Sequence, residues 1–151
     1  TDDRRVFRAL RRRAERKTVT ARRNKYNVAP KAERTFEGIV YASKAEMIRA
    51  KELRSLRMAC GWEIERQPRF MLGCPENIYV ADFKIYDSMT SESHVEDVKG
   101  VRTAKFNRDV KLWRKYGTMP LVLLTRTGES WKREIIVPGE KAPKRKRKAK
   151  A

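Results

Sequence analysis

The stretch Tyr79–Gly100, YVADFKIYDSMTSESHVEDVKG, contains two runs of strand-forming residues parted by a polar, turn-rich segment. Ile78 to Tyr86 reads as one strand, with Asp82 inside it, and His94 to Lys99 as the next. The loop DSMTSES at 87–93 joins them into an antiparallel hairpin and is long enough to be mobile. Side chains alternate along extended chain, so Asp97 and Lys99 point one way while Glu96, Val98 and His94 point the other. Two acids and a lysine on one sheet face are costly to bury and useful around a metal.

The flanking sequence predicts the rest of the fold. Thr35 to Tyr41 (TFEGIVY) reads as a short strand. Ser43 then caps a helix from 44 to about 60, Glu46 completing a capping box and Gly61 ending the helix. Arg49 and Glu52 interrupt the apolar arc of that helix. Trp62 to Arg66 and Arg69 to Leu72 read as strand broken by Pro68. Thr103 caps a second helix to about Tyr116, with Phe106, Val110 and Trp113 at helical spacing and Gly117 as its stop. Leu121 to Leu124 (LVLL) predicts a strand covered on both faces, and Lys132 to Val137 an edge strand. The order predicts an α/β (α+β) chain, a central mixed β-sheet flanked by helices.

The 151 residues carry 38 Lys+Arg against 19 Asp+Glu, a net charge of +19. Nucleic acid is the expected partner of such a chain. Residues 1–35 carry a net +9 and residues 139–151 a net +6, leaving +4 for the 103 residues between. This divides the chain into a basic arm (1–34), a folded domain (35–138) and a basic tail (139–151) expected to be disordered. Within the arm, a helix from Asp2 or Asp3 to about Lys17 has only Val6, Ala9, Leu10 and Ala14 as its apolar stripe, and residues 18–35 read as a linker that orders on binding. Arg11, Arg12, Arg13, Lys44, Lys105, Lys144 and Arg145 are the candidate DNA contacts, gripping phosphates without reading sequence. Cys60, Cys74 and the single histidine, His94, do not make a zinc set, and the thiols are expected reduced and packed as small apolar groups. No apolar run is long enough to span a membrane, and the start lacks a secretory signal, so a cytoplasmic protein is expected. Thr1 in place of methionine is expected to reflect processing or trimming of the chain.

Hydrolysis of a phosphodiester needs an activated water and charge compensation at the phosphorus, which a divalent metal held by carboxylates supplies. Asp82, Asp97 and the Val98 carbonyl are candidate ligands for magnesium or manganese, with Glu46 either a third acid or simply the capping-box residue. Lys99 is the candidate to orient or deprotonate the water, or to neutralise developing charge; the base role requires its pKa to fall. His94 reads as a loop-edge surface residue. The tryptophans and tyrosines, Tyr79 among them, read as core before base-stacking platforms.

Glu46 in a helix, Gln67-Pro68, Tyr79-x-Ala81-Asp82-Phe83 and Val95-Glu96-Asp97-Val98-Lys99-Gly100 together resemble the PD-(D/E)XK nuclease superfamily, in particular a small phage endonuclease family. The motif order is also similar to that of the phage endonuclease I family of Holliday-junction resolvases. The resemblance covers about residues 35–125 and departs from the motif in placing Ala81 where proline would stand. It implies a restriction-endonuclease-like core with Asp82, Asp97 and Lys99 as catalytic acids and lysine, Glu46 as the helical acid, and Gln67 as an accessory residue. It further implies a metal-dependent endodeoxyribonuclease on branched DNA, with four-way junctions as substrate, no small-molecule cofactor and a homodimer matching the junction's two-fold symmetry. Duplex nicking, genome-end processing and a non-catalytic architectural DNA-binding role are the alternatives.

Overall fold

The structure is a computed structural model that describes residues 27–143. The basic helix expected in the first residues, with Arg11, Arg12 and Arg13, and the end of the tail, with Lys144 and Arg145, lie outside the described residues.

After Pro30 the chain makes a 3-10 turn at Lys31–Arg34, inside the expected linker. The TFEGIVY segment is two strands, β1 (Thr35–Phe36) and β2 (Ile39–Val40), paired antiparallel. Glu37 and Gly38 between them both have positive φ (49° and 75°), so the chain reverses where a single strand was expected. Helix α1 (Lys44–Cys60) matches its expected span: Ser43 Oγ accepts from the Glu46 N–H at 3.0 Å, and Gly61, in the left-handed region, closes it.

Strands β3 (Glu63–Arg66), β6 (Phe83–Asp87), β7 (Glu92–Val98), β8 (Leu121–Thr127) and β9 (Ser130–Ile136) form the central sheet in the order β3-β6-β7-β8-β9. Only β7 and β8 run parallel, joined over one face by α2 (Ala104–Tyr116), and the sheet is therefore mixed. Leu121 to Leu124 are all buried in the second strand from the edge, and β9 is the edge, as LVLL and the last strand predicted. The fold is α+β, with a helix on each face of a five-stranded sheet.

Two expectations for the central hairpin need correction. Ile78 to Tyr86 is two strands, because β5 (Ile78–Val80) pairs with β4 (Arg69–Met71) in a separate two-stranded sheet before the chain crosses into β6. Asp82 therefore stands at the crossover and not within a strand. The connecting loop is four residues, 88–91, since strand pairing continues out to Asp87 and Glu92. His94 lies in mid-strand, half-buried, with Trp62 edge-on to its ring at 6.4 Å.

The sheet separates two cores. One, under α2 and the β4–β5 hairpin, gathers Leu72, Tyr79, Val95, Leu121, Leu123, Ile136 and the fully buried Trp113. Phe70 and Tyr79 meet the Trp113 ring edge-on at 4.9 and 5.5 Å, and its indole N–H donates to the Met119 carbonyl at 2.9 Å. A Cβ at Gly117 would lie 2.7 Å from that indole nitrogen, so the helix stop is also a packing requirement. The other core, under α1 and β1–β2, gathers Tyr41, Met47, Leu53, Phe83 and Ile85.

Candidate active site

Asp97 has no solvent exposure, because β7 is the middle strand and α2 and β5 cover that face. Its Oδ2 accepts a hydrogen bond from the Tyr79 hydroxyl. Its Oδ1 lies 2.8 Å from the Lys99 ammonium, yet at an angle that makes no hydrogen bond, so this buried oxygen is left with accepting capacity unmet. Lys99 donates its backbone N–H to the Leu124 carbonyl at 2.8 Å, which continues the β7–β8 pairing and keeps it on the face of Asp97, as alternation predicted. The Lys99 ammonium rests 5.2 Å from the centre of the Phe106 ring.

Asp82 is fixed at the crossover by its own backbone. Its N–H donates to the Glu96 carbonyl at 3.2 Å and its carbonyl accepts from the Gln67 N–H at 2.9 Å. The carboxylate Oδ2 accepts from the Val98 N–H at 2.6 Å, bringing Asp82 beside the end of β7. Burial, then the charges of Asp97 and Glu46, push the Asp82 pKa up to about 8.

Glu46 is buried at the first turn of α1. Its carboxylate accepts from the Ala42 N–H at 3.1 Å, one residue ahead of the expected capping-box partner. Burial raises its pKa, and the charge of Asp97 adds to that against the opposing Ala42 hydrogen bond, Arg66 and Lys99. Glu46, Asp82, Asp97 and Lys99 thus lie within reach of one another's charge. Among the described residues no three acid, histidine or cysteine side chains close into a metal cage. The all-oxygen donor set, with one buried oxygen unmet, fits a hard divalent cation that keeps part of its water shell.

The proton state of Lys99 differs from what a base would need. Burial works against its charge, but Asp97, and then Asp82 and Glu46, outweigh burial and hold its pKa above that of a free lysine. Lys99 is an ammonium here and suits charge neutralisation.

Gln67 lies beside the crossover that holds Asp82. It is exposed, with φ of 50°, and reaches Asp82 through its backbone. Lys44 is exposed and ion-paired with Glu33 at 3.4 Å, whereas Lys105 lines the same cavity as Lys99. Glu96, on the opposite face from Asp97, is held in a buried ion pair with Arg49. Tyr79 and Arg49 were not among the expected site residues. The signal for Arg49 was present: a charge breaking the apolar arc of α1, opposite an acid of the wrong parity for the site. Cys60 and Cys74 are unpaired and half-buried, and no helix among the described residues is long and apolar enough to cross a membrane.

A family model describing proteins of unknown function, DUF1064, matches residues 23–129, which include every one of these site residues. The chain belongs to the DUF1064 family. No curated protein matches this DUF1064 chain. The crystal structure of SSO0001 is similar to it at 18% identity and a TM-score of 0.39, over 66% of this chain. The matched part spans 54% of that protein's length.

Proposed function

We propose that this DUF1064 chain is a metal-dependent nuclease of the PD-(D/E)XK type that hydrolyses phosphodiesters in DNA. The observation that carries the reading is the buried Asp97 Oδ1, 2.8 Å from the Lys99 ammonium yet without a hydrogen bond, in a site where the charge of Asp97 is felt by Asp82 and Glu46. The charges of Asp97 and Glu46 raise the pKa of Asp82, and the charge of Asp97 raises that of Glu46; a bound cation relieves such repulsion. Asp82, Asp97 and the Val98 carbonyl would hold magnesium or manganese, with Glu46 completing the acidic set. The metal, when bound, supplies Lewis-acid activation of water and of the phosphoryl oxygens. Lys99, as an ammonium, compensates negative charge growing on the phosphoryl group. Burial of Asp97 and the short Val98–Asp82 hydrogen bond keep the acids from moving as charge develops.

The net charge of +19 supports a nucleic-acid substrate, and the basic segments at both ends support gripping more than one duplex. Branched DNA, with four-way junctions foremost, is the substrate class in this reading, cut by a homodimer as in the phage endonuclease families the motifs resemble. The test is cleavage of a synthetic four-way junction, flap, single strand and plain duplex with magnesium or manganese, beside the Asp97→Ala variant. Cutting by the wild type alone, abolished by EDTA, supports the proposal. Binding without cleavage of any of these DNAs favours an architectural DNA-binding protein, and preferential cutting of plain duplex favours nicking or end processing.

A further inference from the structure

We propose that the cavity between β5 and the start of α2 receives one unpaired nucleobase of the strand being cut, a reading that rests on the nuclease function above. The cavity is about 280 Å³, and its lining includes Lys99 itself, so it opens directly off the candidate active site. It lies just below the range of ligand sites, about 300–1,000 Å³, a size that suits a single base better than a base pair.

Its walls are unlike ordinary surface. Ile78, Val80 and Val101, apolar side chains that are exposed at 41, 45 and 70%, line it. In the β4–β5 register Met71 is opposite Ile78 and Arg69 opposite Val80, while Phe70 and Tyr79 face the core. Apart from Arg69, the outer face of this two-stranded sheet is therefore apolar where alternation would place polar residues. Phe106 also lines the cavity, its ring already carrying the Lys99 ammonium at 5.2 Å and the Arg102 guanidinium at 6.0 Å. Lys105 supplies a second ammonium, and the one carboxylate in the lining, Asp109, lies 3.9 Å from Arg108.

Apolar walls take the face of a base, and flanking ammonium groups take the phosphates on either side of it. The charge of the whole chain favours a polyanion over a neutral apolar partner. In intact duplex each base face is covered by its neighbours, so only an unstacked base can enter. The cavity would then favour DNA with unpaired nucleotides beside the cut, by recognising an exposed base face and not a sequence.

The test uses four-way junctions and plain duplexes carrying the fluorescent base 2-aminopurine at successive positions around the cut, in EDTA so that binding is read without turnover. Wild type is compared with Ile78→Ser/Val80→Ser and, separately, with the loop variant Val101→Ser, whose folding is checked by circular dichroism. The expected result is a fluorescence change at one position of the junction, lost in the variants with about tenfold weaker junction binding and unchanged duplex binding. Equal junction binding by wild type and both variants, with no position responding, overturns the proposal. So does a shift from dimer to monomer in the strand variant, which makes this face a contact between copies of the chain. Cleavage is scored in separate magnesium samples. A failed nuclease reading appears there as a wild type that cuts nothing, whereas a failed subsite appears as an unresponsive base on DNA that is still cut.

Discussion

The guanidinium of Arg49 grips both carboxylate oxygens of Glu96, Nη2 to Oε1 at 2.6 Å and Nε to Oε2 at 2.7 Å, with both side chains almost wholly buried. Arg49 lies one helical turn after Glu46, and Glu96 is the residue before Asp97. The pair therefore ties the helix that bears one candidate acid to the strand that bears another. Glu52 extends the tie by accepting from Arg49 and from the Trp131 indole, each at 2.9 Å, so that α1 is pinned to β7 and β9 together.

Breaking this pair should be costly, because the surviving charge stays buried without its partner. Arg49→Met or Glu96→Gln should each lose about 3–5 kcal/mol in urea unfolding, and Arg49→Met/Glu96→Leu should recover most of it. Burial raises the Glu96 pKa, but hydrogen bonds from His94 and Arg49 more than reverse that and leave it below the ordinary 4.5. The native state then binds fewer protons than the unfolded chain as acid is added. The stabilisation is complete above the unfolded value and disappears as pH falls through the folded one. A wild-type acid transition unchanged in Glu96→Gln would contradict this.

Asp82 has the opposite linkage. Its folded pKa, near 8, lies above the unfolded 3.8, so between these values the native state holds a proton that the unfolded chain has released, and stability falls with rising pH. Asp82→Asn keeps an acceptor for the Val98 N–H and removes the charge. We expect the Tm at pH 8 to rise, by about 2–4 °C per kcal/mol relieved, and the gain to vanish near pH 4. Activity should be lost in the same variant. A fall in Tm at both pH values would mean that the charge is compensated in the free protein.

Lys99 is expected to act through its charge. Lys99→Met should lower cleavage about 100- to 1,000-fold, the scale of losing one preorganised charge partner in a transition state. Lys99→Arg should retain more activity than Lys99→Met. Since Asp97 holds the ammonium protonated, the wild-type rate should show no inflection assignable to Lys99 between pH 6 and 9. An Arg variant as inactive as the Met variant would instead indicate proton transfer.

What was legible in the sequence was what local rules govern. The ends of α1 and α2 follow from Ser43, Gly61, Thr103 and Gly117, and the face shared by Asp97 and Lys99 follows from strand alternation. The crossover at Asp82 was not legible, because strand-forming residues flank Ala81-Asp82 on both sides and only pairing with β4 divides the run. Nor was the hairpin in TFEGIVY, where a positive φ at Glu37 shares the turn with Gly38. Arg49 looked like a flaw in an amphipathic helix because its partner lies 47 residues away. Long-range partners of this kind also decided Tyr79, which composition could place only in the core.

Tyr79 holds the acid at the centre of the site. Burial, and then the negative charge of Asp97, push its phenol pKa far above the usual tyrosine value, so it remains a donor throughout the working pH range. By occupying Oδ2 it leaves Oδ1, beside the Lys99 ammonium, as the oxygen without a hydrogen bond. Tyr79→Phe keeps the ring that packs edge-on against Trp113 and removes only the donor. The buried Oδ2 is then unpaired, at a cost of about 1–3 kcal/mol. The carboxylate is also free to turn. In the metal-bound state the cation can satisfy the freed oxygen, so we expect two separable effects: a lower Tm in EDTA, partly restored by manganese, and a magnesium dependence of cleavage shifted to higher concentration. Calorimetric titration with manganese reads the second effect without turnover. Unchanged manganese affinity beside a lowered Tm would reduce Tyr79 to a packing residue and leave the orientation of Asp97 to Lys99 alone.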